Sequence, residues 1–188
     1  MRRVRYSVAM SLDGYIAGPN GEFDWIITNP EIDFKALFKR FDTVLLGRRT
    51  FELTLTQGDD GGMPGMRLIV FSRTLRPSDY PKVTIVSENA GGVVAALRDQ
   101  PGKDIWLMGG GVLFRSLLDA GQVDSVEVGV IPVLLGGGIP LLPPPGSKAG
   151  LQLAGSRIYS KTGIVSLEYT VQRRKGGRTA RTSKTART

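Results

Sequence analysis

The chain has 188 residues, 41% of them hydrophobic, which is typical of one globular domain with a sizeable core. It contains no cysteine and no histidine, which excludes a disulfide, a thiolate nucleophile, a Ser-His-Asp triad and an ordinary zinc site. The net charge of +8 belongs to the C-terminal end, because residues 173–188 hold seven Lys or Arg and no acid, whereas residues 1–172 hold 18 basic and 17 acidic residues.

The first elements predict a buried strand and a long loop. Residues 4–10 are apolar and β-rich, typical of a strand, and their apolar run is too short for an export signal. Residues 11–22 are dense in turn formers, and residues 23–27 predict a short hydrophobic lid. Asn29, Pro30 and Glu31 then open a predicted helix at 32–40. Since no apolar run has transmembrane length, we expect a cytoplasmic protein.

Strands and helices alternate over the middle of the chain. Four more strands are predicted, at residues 43–46, 67–71, 83–86 and 105–108. They alternate with a helical turn after Gly47 and with helices at 93–99 and 112–120, the last ending at Gly121 as a C-cap. The Gly/Asp-rich run 58–65 predicts a surface loop. Final strands are predicted at 123–132 and 164–172, on either side of a stiff Gly/Pro-rich connection.

This order predicts an α/β domain over residues 1–172. Alternating strands and helices favour a three-layer fold, with a mixed, mostly parallel central sheet, helices on both faces and antiparallel C-terminal edge strands. Residues 173–188 have no apolar side chain larger than alanine and predict a flexible basic tail. That tail is either a solvated extension or a nucleic-acid arm. The absence of aromatic residues between its charges favours the extension.

A triple glycine stands between a predicted strand and an amphipathic helix, at Gly109, Gly110 and Gly111. Glycines admit a ligand close to the backbone, and a helix N-terminus offers N–H groups and a positive dipole end to an anion. The alternative is a tight strand-to-helix turn that binds nothing. The spacing is neither G-x-G-x-x-G nor a P-loop, so the glycines alone do not name the ligand.

Two other predicted strands are followed by side chains that can also bind an anion. The runs 44–47 and 68–71 are followed by hydroxyl and arginine side chains: Arg48, Arg49, Thr50, Ser72 and Arg73. In an open α/β sheet ligands bind at the carboxyl ends of the strands, so we predict that these ends converge on one polyanionic ligand, for which a dinucleotide is the simplest candidate. Arginine matches a phosphate, which favours the 2′-phosphate of NADP over the ribose diol of NAD. A lone arginine in this position is more often a solvated surface charge.

Four motifs in this order resemble the dihydrofolate reductase-like superfamily. They are Val-Ala-Met-Ser-Leu-Asp-Gly-Tyr-Ile-Ala at 8–17, Leu-Leu-Gly-Arg-Arg-Thr-Phe-Glu at 45–52, Val-Phe-Ser-Arg at 70–73 and Trp-Leu-Met-Gly-Gly-Gly at 106–111. The Ser-Leu-Asp-Gly variant and Leu-Leu-Gly-Gly-Gly at 134–138 are most similar to the branch that contains the reductase domain of bacterial riboflavin biosynthesis. The resemblance implies an NADPH-dependent reductase, acting as a homodimer on a small molecule.

The resemblance also implies cofactor contacts at named positions. The adenosine phosphates would be held by Gly47, Arg48, Arg49, Thr50, Ser72 and Arg73. The pyrophosphate would lie at Gly109, Gly110 and Gly111, with Val112 and Leu113 beginning the helix. Ala9 and Ala17 would line the nicotinamide.

Hydride transfer needs no protein nucleophile, so the candidate catalytic groups are two acids, Asp13 and Asp33. Asp33 lies near the substrate-binding acid of folate-reducing relatives, or else complements a helix dipole. Asp13 is a substrate contact, a loop-fixing residue or a turn former. Tyr15 and Trp25 either stack on a flat substrate or pack in the core.

The substrate stays open among a riboflavin precursor, a pterin and another small heteroaromatic or carbonyl compound. Riboflavin enzymes usually carry a zinc deaminase domain, for which this chain has no His or Cys. The alternatives are a non-catalytic NADPH sensor and, less favoured, a nucleic-acid-associated protein.

Overall fold

Strands dominate the part of the chain that the structure, a computed structural model, describes: residues 1–56, 63 and 65–172. The predicted loop at 58–65 lies outside these residues apart from Met63 and Gly65, and the predicted tail at 173–188 lies wholly outside them. The strands of the described residues are β1 (Val4–Ser11), β2 (Tyr15–Ala17), β3 (Phe41–Gly47), β4 (Arg67–Phe71), β5 (Thr84–Val86), β6 (Asp104–Gly109), β7 (Ser125–Ile131), β8 (Ile139–Pro140), β9 (Leu151–Tyr159) and β10 (Ile164–Val171).

Eight of these strands form one sheet in the order β5-β4-β3-β6-β1-β7-β10-β9. The pairs from β5 across to β7 are all parallel, whereas β10 pairs antiparallel with both β7 and β9. The prediction of a mostly parallel sheet with antiparallel C-terminal edge strands is therefore confirmed. The short strands β2 and β8 pair separately as a two-stranded ribbon.

Helices cover both faces of the sheet, as predicted. The described residues contain α1 (Phe34–Phe38), α2 (Arg48–Thr56), α3 (Ala90–Asp99) and α4 (Gly111–Asp119). Strand alternation sends Val44 and Leu46 to one face, where they pack with Phe51 of α2. Leu45 points to the other face and packs in the cluster that holds Leu117 of α4. No helix of the described residues is long and apolar enough to cross a membrane.

Two helices begin elsewhere than their sequence pattern predicted. The helix predicted at 32–40 spans only Phe34–Phe38, because Asp33 caps it by accepting a hydrogen bond from Ala36 N–H at 2.9 Å. Upstream, buried Asn29 holds the chain in a turn by accepting from Glu31 N–H and donating to Thr162 Oγ1. The helix predicted at 93–99 begins at Ala90 instead, because Asn89 caps it from a left-handed conformation.

Strand β9 was not predicted from the sequence. It is the edge strand of the sheet, and Tyr159 is its one buried residue. An exposed strand of this kind lacks the alternation of buried and exposed positions on which sequence-based assignment depends.

Candidate active site

A cleft of about 1560 Å³ crosses the carboxyl ends of the parallel strands and continues over one face of the sheet. This volume exceeds the roughly 300–1,000 Å³ of an ordinary small-molecule site. The cleft therefore has room for a dinucleotide and a second molecule beside it.

The predicted strand ends lie side by side at one end of this cleft. Gly47 of β3 pairs in register with Phe71 of β4, and the neighbouring Leu46 pairs with Gly109 of β6. The predicted cofactor residues that follow or close these strands all line the cleft: Gly47, Arg48, Arg49, Thr50, Ser72, Arg73, Gly109, Gly110, Gly111, Val112 and Leu113. The structure thus brings together residues that are more than 60 positions apart in the sequence, from Gly47 to Gly109.

The three consecutive glycines serve two different purposes. A Cβ placed on Gly109 or Gly110 would lie 3.3 or 3.4 Å from Thr50 Oγ1, so both glycines let the turn approach α2 closely. A Cβ on Gly111 would lie 2.7 Å from Pro143 Cδ and 2.8 Å from the carbonyl oxygen of Pro140. Gly111 is thus required by packing, whereas Gly109 and Gly110 form the open turn beside Thr50.

The first turn of α4 faces the cleft. Gly110 is its N-cap and, having no side chain, makes no capping hydrogen bond to the first N–H groups of the helix, which form its anion-binding end. Val112 is 59% exposed there, and Leu113 is buried beneath it.

The three arginines of the strand ends differ in their partners. Arg48 forms an exposed ion pair with Glu52, one helical turn later on α2, at 2.9 Å. Arg49 and Arg73 are exposed and have no hydrogen-bond or ion-pair partner among residues 1–56, 63 and 65–172. These two guanidinium groups are available to a ligand.

Ser72 shapes the turn that presents Arg73. Its side chain is buried, and its Oγ accepts hydrogen bonds from the N–H groups of Thr74 at 3.2 Å and Leu75 at 3.0 Å. Ser72 therefore acts on the cleft chiefly through the conformation of this turn.

Asp13 joins the loop after β1 to a distant loop. Its carboxylate accepts hydrogen bonds from Ser11 Oγ at 2.6 Å, from Leu135 N–H at 3.1 Å and from Gly136 N–H at 2.7 Å. The hydrogen bond from Ser11, followed by those from the two backbone groups, holds the pKa of Asp13 below its usual value. Asp13 is not among the residues that line the cleft. Of the roles considered above, these contacts favour the loop-fixing one.

Tyr15 and Trp25 also lie outside the cleft lining. Tyr15 pairs with Pro140 in the β2–β8 ribbon, and its N–H donates to Ser11 Oγ. The Trp25 indole packs against the cluster of Ile131, Tyr159 and Ile164 and donates to the carbonyl oxygen of Glu22. Both placements favour the packing interpretation over direct substrate contact.

Asp33, Ala9 and Ala17 do line the cleft, in the half formed by β1, β2 and the segment that leads into α1. Asp33 is exposed, and only its Oδ1 is engaged in capping α1. The structure leaves its second carboxylate oxygen available to a ligand.

Sequence reasoning missed much of the rest of this half of the cleft. Five exposed apolar side chains line the cleft here: Phe23, Ile26, Ile27, Phe34 and Phe38. The sequence predicted only the segment 23–27 among them, as a hydrophobic lid. Arg157, on the unpredicted strand β9, also lines the cleft. One sequence feature could have revealed these apolar side chains. Residues 23–38 hold many large apolar residues, although the segment is too polar to form a core element.

A buried ion-pair network borders the cleft floor. Arg5 is 7% exposed and bonds to Glu127, to Glu168 at 2.7 Å and to Asp104 at 3.4 Å. Burial lowers the pKa of Arg5, but the hydrogen bond and charge of Glu127 and the charges of Glu168 and Asp104 raise it by more, so its pKa lies above the ordinary value.

Comparison with known proteins places the chain in a family. Residues 2–165 match the family model of the RibD C-terminal domain. The chain belongs to that family. The match spans most of the chain and agrees with the fold described above.

Individual relatives support the same placement. The chain is 33% identical over 179 residues to the uncharacterized protein YyaP of Bacillus subtilis (strain 168), covering 89% of this chain and 94% of that protein. A putative riboflavin biosynthesis protein of Shewanella sp. PV-4 superposes with a TM-score of 0.77 at 28% identity, over 92% of this chain and all of that one. Dihydrofolate reductase of Enterococcus faecalis, in a complex with NADP(H), superposes with a TM-score of 0.67 at 18% identity, over 91% and 97% of the two chains. The fold is therefore that of the dihydrofolate reductase-like proteins, as predicted.

Proposed function

We propose that this protein is an NADPH-dependent reductase that transfers hydride to a small heteroaromatic or carbonyl substrate. The observation that carries the proposal is a pair of arginines, Arg49 and Arg73, that have no ion-pair partner in the described part of the chain and lie at the strand ends beside the open turn at Gly109 and Gly110. Family membership supports a reductase, and a fold shared with a protein that binds NADP(H) supports the cofactor class.

The chemistry of the strand-end residues fits a dinucleotide phosphate. Gly109 and Gly110 permit close backbone approach, and the uncapped N-terminus of α4 offers N–H groups to an anion. Arg49 and Arg73 supply two positive charges that no described carboxylate neutralises. In this proposal they bind the 2′-phosphate, and the turn binds the pyrophosphate.

Bound NADPH supplies the hydride, so the protein must orient the partners, exclude water and arrange a proton source. In this proposal the nicotinamide ring lies against Ala9 of β1 and Ala17 of β2, both of which line the cleft. Asp33 is the proposed substrate contact and proton-relaying acid, through the carboxylate oxygen that does not cap α1. Asp13 is proposed as a positioning residue that fixes the loop between β1 and β2.

Cofactor titration tests this proposal. We expect the intact chain to be protected against thermal unfolding by NADPH more than by NADH. Arg73→Ala should narrow that difference by weakening NADPH affinity about tenfold, because it removes a charge-assisted hydrogen bond to a phosphate. Arg76→Ala is the matched control, since Arg76 lies in the same loop, pairs with Asp79 and does not line the cleft. Equal affinity for both cofactors would contradict the 2′-phosphate assignment.

A non-catalytic NADPH sensor is the second candidate. It is favoured by one observation: Asp13, one of the two predicted catalytic acids, is fully engaged in loop contacts. A sensor would bind NADPH without oxidising it in the presence of pterins, pyrimidines or small carbonyl compounds. Turnover with any of these would decide for the reductase.

A further inference from the structure

Strands β9 and β10 differ in chemistry between their two faces. Residues that pair across neighbouring strands point to the same side of the sheet, so the register assigns each side chain to a face. Arg157, Ser166 and Glu168 lie on the inner face and line the cleft. The alternate positions form the outer face: Leu151, Leu153, Ser156 and Ile158 of β9, and Val165, Leu167, Tyr169 and Val171 of β10.

The outer face is apolar and exposed. Seven of its eight residues have aliphatic or aromatic side chains, and none of the eight is charged. Leu151, Leu153 and Ile158 are 43%, 56% and 73% exposed. Leu167 and Val171 pack against the main hydrophobic core, so the outer face continues that core beyond its covered part. A strand pair with one face in water ordinarily turns its polar face outward, and contiguous exposed apolar surface marks an interaction site.

The rest of this chain has nothing apolar with which to cover the outer face. Outside the described residues lie 57–62, 64 and 173–188. The first two consist of Gln, Asp, Gly and Pro and join α2 to β4, which stands six places from β9 in the sheet, about 29 Å away. Residues 173–188 have no apolar side chain larger than alanine. Another molecule therefore has to supply the cover.

The charge of the outer face selects the kind of partner. A nucleic acid or an anionic lipid surface is bound through basic side chains, and the outer face has none. A second copy of the chain presents an equally uncharged face, so no charge is stripped of water when the two meet. Residues 1–172 hold 18 basic and 17 acidic residues, so the two folded parts approach without strong repulsion.

We infer that the outer face of β9 and β10 binds the outer face of a second copy in a symmetric dimer. The inference does not depend on the proposed reductase activity. Because the inner face of β9 carries Arg157 and Tyr159, which line the cleft, the dimer also supports one side of the cleft.

The contact joins faces rather than strand edges. Gly155 pairs with Glu168 and Leu153 with Tyr169, which leaves Ala154 as an extra residue on β9. Such a bulge twists an edge strand and hinders further strand pairing.

The size of the outer face sets the expected strength of the dimer. Its longer strand has nine residues, so the two strands present a strip of about 30 by 10 Å. A standard interface buries about 800 Å² per partner, so the strip is the apolar centre of a small interface. We expect a reversible dimer with a Kd on the order of micromolar.

Sedimentation velocity of the intact chain at rising concentration tests the inference. Wild type should shift from the 20.3 kDa monomer to twice that mass. Leu153→Lys and Ile158→Lys should each raise the dimer Kd at least about tenfold, because each places a charge in the contact. Both positions are exposed in the monomer, and circular dichroism and melting temperature establish that the variants fold.

Gln152→Lys is the matched control. Gln152 is exposed on the same strand but belongs to the inner face, where it pairs with Thr170, and it does not line the cleft. Its dimer Kd should equal that of wild type.

Cross-linking locates the contact. The chain has no cysteine, so a single introduced thiol is the only one in each copy. Ser156→Cys lies in the middle of the outer face, and a short bismaleimide should join two copies of this variant. Gln152→Cys should remain unjoined under the same conditions.

Four results would overturn the inference. One is a monomer at every concentration, and another is cross-linking of Gln152→Cys but not of Ser156→Cys. A third is equal weakening of the dimer by Leu134→Lys, since Leu134 is 69% exposed but lies in the loop before β8. The fourth is a monomer that sediments with phosphatidylserine vesicles and loses this binding in Leu153→Lys, which would assign the outer face to a lipid surface.

Discussion

The carboxylate of Asp13 accepts a hydrogen bond from the N–H of Gly136 at 2.7 Å, across 123 positions of sequence. This contact ties the loop after β1 to the Gly-rich loop before β8. Asp13 does not line the cleft, and its carboxylate fixes these two loops to each other.

Asp13→Asn should lower the melting temperature at neutral pH. It should also make the melting temperature depend less on pH in the acid range. Because the pKa of Asp13 is lowered by folding, its stabilisation is present above the ordinary carboxyl pKa of 3.8 and is lost as the pH falls through the lower folded value. Melting temperatures measured from pH 7 down to pH 3 should therefore fall more steeply for wild type than for the variant. Asp24→Asn, at an exposed acid with no hydrogen-bond or ion-pair partner among the described residues, should leave the profile unchanged.

Glycine substitutions should separate packing from ligand binding in the 109–111 turn. Gly111→Ala should lower the free energy of unfolding by about 1–3 kcal/mol, because its Cβ overlaps Pro143 and the carbonyl of Pro140. Gly110→Ala meets only Thr50 Oγ1 at 3.4 Å and should cost less stability, but it should weaken NADPH binding. Denaturant unfolding and NADPH titration of both variants check this. Equal effects of the two substitutions on both measurements would mean that the glycines act as one structural unit.

The convergence of the strand ends was predictable because it follows from a general rule of parallel sheets. Gly47, Arg49, Arg73 and Gly109 each follow or close a strand whose apolar run is visible in the sequence, and the carboxyl ends of such strands meet at one edge. The structure bears out that convergence.

The substrate half was less predictable, for a physical reason. Arg157 lies on an edge strand whose exposed residues carry no burial pattern, and its position in the cleft depends on pairing with β10. The partner of Asp13 lies in a distant loop, so no local spacing reveals it. Contacts that depend on long-range strand pairing and on the packing of distant loops can be identified only in the folded structure.

Arg48 and Arg49 should contribute unequally to cofactor binding. Arg48 already pairs with Glu52, so part of its charge is neutralised, whereas Arg49 has no such partner in the described part of the chain. We expect Arg49→Ala to weaken NADPH about tenfold and Arg48→Ala to weaken it about twofold. Isothermal titration with NADPH and NADH checks both values. If Arg48→Ala proves the more damaging variant, the Glu52 pair must open when the cofactor binds.

Arg5 should be essential to stability, although it lies beneath the cleft. Arg5→Met leaves the Glu127 carboxylate, whose side chain is 11% exposed, without its main partner. Removing one member of a buried pair costs about 3–5 kcal/mol, because the remaining charge stays desolvated.

Arg76→Met, at an ion pair whose arginine is 79% exposed, should change the free energy of unfolding by less than about 0.5 kcal/mol. The double variant Arg5→Met/Glu127→Gln should recover part of the loss, since it removes the orphaned charge. Chemical denaturation of the four proteins measures these differences. If the double variant is no more stable than Arg5→Met, Glu168 and Asp104 carry the interaction instead.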